Sequence, residues 1–75
     1  MIEQEWRKRF SNRLTSLIEL IGINQTDLSK KSGISETSIS RYINGEQTPS
    51  LYHAVKISKA IDIPLDTLTD IWIVS

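Results

Sequence analysis

The stretch Gln25-Thr26-Asp27-Leu28-Ser29-Lys30-Lys31-Ser32-Gly33-Ile34-Ser35-Glu36-Thr37-Ser38-Ile39-Ser40-Arg41-Tyr42-Ile43-Asn44 decides the fold. It opens behind Asn24, whose side chain can accept from a free backbone N–H, and behind Ile23, placed to pack on Leu28 as a hydrophobic staple. This first short helix closes near Ser32-Gly33, where glycine takes the left-handed conformation of a helix end without steric cost. The same grammar then repeats. Ile34 precedes Ser35 as cap, Ile39 lies one turn on to close the staple, and the second helix runs to Asn44-Gly45. Leu28, Ser29, Gly33, Ile34, Ile39 and Tyr42 fall where two helices joined by a tight turn need core contact, close approach, the turn itself and core contact again.

Outward from this unit the chain reads as helix on both sides. Upstream, Trp6, Phe10, Leu14, Leu17, Ile18 and Ile21 recur at steps of three and four, one stripe of an amphipathic helix that stops at Gly22. Downstream, Glu46-Gln47-Thr48-Pro49 has the polar and proline content of a loop, and Ser50 caps a fourth helix with Leu51, Ala54, Val55, Ser58 and Ile61 on its inner face. Lys56 and Lys59 then point outward. Asp62-Ile63-Pro64 breaks that helix, and Leu65, Leu68, Ile71 and Trp72 form a last short one. The expected architecture is all-α: a compact five-helix bundle in one domain across residues 1–75, its helix-turn-helix at 25–44.

Composition narrows the function classes. The chain has 75 residues, no Cys and one His, His53. Disulfide staples, Cys-rich zinc sites and Cys nucleophiles are excluded, and His53 has neither triad partners nor fellow ligands. No catalytic residue, metal site, cofactor or small-molecule substrate is therefore expected. The start Met1-Ile2-Glu3-Gln4-Glu5 lacks a secretory layout, and the apolar runs are too short to span a bilayer; a cytoplasmic protein without a membrane partner is expected. Formal net charge is +0, yet all nine Lys and Arg lie between Arg7 and Lys59, opposed there only by Glu19, Asp27, Glu36 and Glu46. That leaves a central excess of five cations and acidic ends, the asymmetry of a molecule with one face toward phosphates, or of a mixed solvated surface.

A short helix, a Gly turn and a second helix are the layout that lays a recognition helix in a DNA major groove. The chain resembles the phage repressor and Cro family, also called the Xre family, over roughly Arg13 to Trp72. Asn24-Gln25-Thr26-Asp27-Leu28 resembles that family's second-helix opening and Gly33-Ile34-Ser35 its turn. Ser38-Ile39-Ser40-Arg41-Tyr42-Ile43-Asn44-Gly45 resembles its recognition helix and end, and Thr48-Pro49-Ser50-Leu51 its entry to helix four. Ser29 departs from the usual Ala, and Asp62 and Pro64 from the usual Gly and capping Ser or Thr. Many members join helix one to the end of helix three by a buried Arg and Glu; Ile18 and Ile43 stand there instead, and an apolar pair serves as well because both charges are replaced together.

With Ile39, Tyr42 and Ile43 inward, the helical period leaves Ser35, Glu36, Thr37, Ser40, Arg41 and Asn44 on or beside the exposed face. The resemblance implies that Glu36, Thr37 and Arg41 read bases, with Ser38 and Ser40 bordering that surface. Arg41 can donate two bonds to guanine, Thr37 can meet thymine's methyl, and Glu36 can accept from cytosine's amino group; a purely structural Glu36, stabilising the helix dipole, is the competing reading. Gln25 and Asn44, with Ser35 and Thr48 nearby, suit backbone phosphates, although the loop Glu46-Gln47-Thr48 lacks the basic residues many relatives carry. Lys30 and Lys31 suit the dipole at the end of their helix, and Arg7, Lys8, Arg9 and Arg13 either reach flanking phosphates or form a solvated face.

Trp6, Phe10 and Tyr42 sit at core spacing, and His53 belongs to the surface or boundary. Ile71 and Trp72 lie in an apolar tail that must tuck into the core or meet another chain. The resemblance implies pairing through C-terminal helices, hence a homodimer on double-stranded DNA. A sequence-specific transcriptional repressor of phage or bacterial type is thus expected, with a protein-interaction, antitoxin or adaptor use of the same fold as the alternative.

Overall fold

The computed structural model describes residues 3–69, which form five helices: α1 (Glu3–Ile21), α2 (Gln25–Ser32), α3 (Glu36–Ile43), α4 (Leu51–Ile61) and α5 (Leu65–Thr69). The fold is the expected all-α bundle. Phe10 and Leu14 from α1, Leu28 from α2, Ile39 from α3, Ile57 from α4 and Leu68 from α5 are fully buried, so every helix contributes at least one residue to a single core. Each such side chain stabilises the fold by roughly 1.5–3 kcal/mol relative to exposure. Ile71 and Trp72, expected in the last helix, lie outside the described residues.

The helix ends follow the local chemistry. Asn24 and Asp27 form a reciprocal capping box at the start of α2, Asp27 N donating to Asn24 Oδ1 at 2.8 Å and Asn24 N to Asp27 Oδ2 at 3.3 Å. Ser35 Oγ accepts from Ser38 N, and Ser50 Oγ from His53 N. Gly33 ends α2 at φ +74°, in the left-handed region; the only non-glycine there among the described residues is Asp62, at φ +58°, which ends α4. The stop before Pro64 is therefore made by Asp62's own backbone, with proline only preventing continuation.

Two expectations about helix faces need correction. On α4 the inward residues are Ala54, Ile57 and Ile61, whereas Leu51 is 73% exposed and Val55 and Ser58 are half-buried. On the helical wheel Ile61 lies between Ala54 and Ile57, so a face turned toward Ile57 buries all three and leaves Leu51 and Val55 to the other side of Ala54. Ile21 at the end of α1 is exposed, because the chain reverses at once: Gly22 N and Ile23 N both donate to Ile18 O, and Ile23 folds back onto the core in its place.

The departures from the family pattern acquire roles. Ser29 Oγ donates to Ile34 O at 2.5 Å across the turn of the helix-turn-helix, a bond that alanine would lack. Ile18 is buried and Ile43 packs against the same apolar cluster. The tie between α1 and the end of α3 is then made elsewhere, by Ser11 Oγ donating to Ile43 O and by Arg7 Nη1 donating to Glu46 O at 3.2 Å.

Candidate nucleic-acid interface

Helix α3 is anchored along its whole inner side, and that anchoring sets its outer side. Ile39 and Tyr42 are buried; the Tyr42 ring meets Phe10 of α1 edge-on at 6.5 Å, and its hydroxyl shares a 2.6 Å hydrogen bond with His53 Nδ1 of α4. Burial pushes the Tyr42 phenol above its usual range. His53 is half-buried, the boundary position expected of it, and it acts as a support for α3.

With that side fixed, Ser35, Glu36, Thr37, Arg41 and Asn44 are exposed, and Gln25, Ser38, Ser40 and Thr48 are half-buried. One open groove is lined by Gln25, Glu36, Thr37, Ser40 and Arg41, together with Glu46. The structure thus brings together all three residues expected to read bases and one of those expected to hold phosphate. Ser35 and Ser38 are engaged with each other at the cap, Oγ to Oγ at 3.1 Å, and serve the helix start. Asn44 Nδ2 donates to Ser40 Oγ at 3.3 Å, which orients its amide at the far end of α3. Thr48 lies outside the groove lining.

A second groove continues from this end of α3 onto α1, between Asn44 and Gly45 on one side and Arg7 and Lys8 on the other. The two adjoin at Glu46, which lines the first groove and whose carbonyl accepts from Arg7. Helix α1 therefore supplies cations beside the loop that lacks them.

Beside the Tyr42–His53 bond, sequence reasoning missed three further supports. Thr26 Oγ1 donates to Glu36 Oε1 at 2.6 Å, ten residues away and across the turn, and Ser11 and Arg7 grip the end of α3. None follows from helical periodicity, which relates residues only within one element. Lys56 is half-buried rather than directed outward, its Nζ lying 4.7 Å from the centroid of the exposed Tyr52 ring. Among the described residues no group of His, Cys, Asp or Glu is arranged to hold a metal ion, and no helix is long and apolar enough to cross a membrane.

Comparison with known proteins agrees with this geometry. A helix-turn-helix family model matches residues 14–68. The chain is 33% identical over 64 residues to the cryptic phage CTXphi transcriptional repressor RstR of Vibrio cholerae serotype O1, a match covering 85% of this chain and 57% of the repressor's length. Its structure resembles the crystal structure of the restriction-modification controller protein C.AhdI from Aeromonas hydrophila, with a TM-score of 0.77 and 28% identity over 80% of this chain and 91% of that one. The chain belongs to the helix-turn-helix family, of the phage repressor and Cro type.

Proposed function

We propose that this chain is a sequence-specific DNA-binding regulator of transcription, a repressor of phage or bacterial type acting in the cytoplasm without catalysis. The observation that carries the proposal is the groove on which Gln25, Glu36, Thr37 and Arg41 converge, on the outer side of a helix whose inner side is fixed to three others. Arg41 donates to guanine, Thr37 contacts a base by its methyl or hydroxyl, and Glu36 accepts from an amino group, each good pair discriminating by roughly 1–3 kcal/mol. Gln25 and Asn44 hold phosphates at the groove edges, and Arg7 and Lys8 extend that grip along the flanking backbone. Two copies, paired through Ile71 and Trp72, place their α3 helices in successive major grooves about 34 Å apart.

The test is Arg41→Ala. Its exposed side chain can be removed without unfolding the domain, so the melting temperature should stay the same while operator affinity falls about 5- to 150-fold and preference relaxes at one base pair. Equal affinity in the variant would remove Arg41 from base reading. A protein-binding use of the same surface is favoured by Glu36 and Glu46 in the groove; it predicts that Arg41→Ala weakens binding of a protein partner instead.

A further inference from the structure

We propose that Thr26 is a positioning residue for base selection: by tethering Glu36 it presents a fixed acceptor, so that the facing base pair is one offering an amino group, cytosine first. The inference rests on α3 being the base-reading helix. Thr26 stands at the second position of α2 and Glu36 at the first of α3, so the bond between them spans the turn. Its 2.6 Å length is that of a hydroxyl donating to a charged carboxylate, a stronger bond than one between neutral groups. Both residues are exposed, and an untethered glutamate there would exchange among rotamers in water.

The tether has two consequences for recognition. It satisfies Oε1 before DNA arrives and leaves Oε2 to accept from a base, in the same groove that holds Thr37 and Arg41. It also prevents retreat. A carboxylate only accepts, and in the major groove guanine offers N7 and O6, thymine O4, while cytosine offers N4–H and adenine N6–H. A free Glu36 swings toward solvent when it meets an acceptor; a tethered one stays and is penalised. Thr26 thereby converts a mobile negative charge into selection for an amino-bearing base and against the others.

The experiment measures binding of the full chain, and of Thr26→Val, Thr26→Ser and Glu36→Gln, to duplexes carrying each of the four base pairs at every half-site position, with melting temperatures alongside. The wild type should prefer cytosine about fivefold or more at one position. Thr26→Val, nearly the same shape without the hydroxyl, should flatten that preference to within about twofold while leaving the preference set by Arg41. Thr26→Ser should restore it, and Glu36→Gln should move it toward adenine, which an amide can pair with through N6 and N7. A Thr26→Val profile identical to wild type, whatever its melting temperature, would reduce the bond to a staple between helices and overturn the inference. Should that variant unfold, a cytosine preference unchanged in Glu36→Gln overturns it equally. A flat wild-type profile at every position would instead sink the DNA-reading function itself, and the inference with it.

Discussion

The turn from α2 to α3 and the turn from α4 to α5 are built on one plan with different care. In each, a serine in the last turn of the helix donates to a carbonyl five residues on, Ser29 to Ile34 O and Ser58 to Ile63 O, both at 2.5 Å. In each, the residue four after that serine is left-handed and donates its N–H back to the serine carbonyl. The first turn uses Gly33 for the left-handed position and Ser35 for the next cap; the second uses Asp62 and Pro64. Glycine adopts that conformation without steric cost, whereas an L-residue is strained there, least so for Asn and Asp. Ser35 satisfies an orphan N–H with its side chain; Pro64 contributes only its carbonyl, which accepts from Leu68 N. Favourable chemistry is concentrated where α3 must be held in one orientation, and the turn into α5 tolerates a poorer version.

Ile39→Ala should have the largest effect, because it removes the central core anchor of the better-built side. The fully buried side chain leaves a cavity, and the cost is about 2–5 kcal/mol in thermal or denaturant unfolding. An unchanged midpoint would mean that α3 packs on a different face. Next come two substitutions at equivalent positions with opposite sign. Gly33→Ala should destabilise by about 1–2 kcal/mol. A new Cβ would meet nothing nearer than the flexible Lys56 Nζ at 3.7 Å, so the cost lies in the backbone. Asp62→Gly, which removes strain at the second turn, should leave stability the same or raise it by up to about 1 kcal/mol. If both variants lose stability equally, the two turns do not differ as described.

The sequence carried most of this architecture, because helix starts and stops are local events. Asn24, Ser35 and Ser50 cap where their side-chain oxygens reach the next backbone N–H, and Gly22 and Gly33 are left-handed where expected. The polar face of α3 was equally legible once Ile39 and Tyr42 were placed inside. The face of α4 was not, because Leu51, Val55 and Ile57 are all apolar and only tertiary packing chooses which of them turns inward. The ties from Thr26 to Glu36, from Ser11 to Ile43 and from Tyr42 to His53 were also invisible: each joins different elements, and small polar residues of this kind are as common on solvated surfaces.

The central claim is that the fixed inner side of α3 serves a base-reading outer side. The most direct measurement is selection from a random-sequence duplex pool at two salt concentrations, followed by sequencing of the bound fraction. Enrichment of a two-fold-symmetric motif, with affinity falling as salt rises, is the predicted result, since phosphate contacts release counterions and paired recognition helices read related half-sites. No enrichment even at low salt would contradict it, and the groove between Gln25 and Arg41 would then belong to a protein partner.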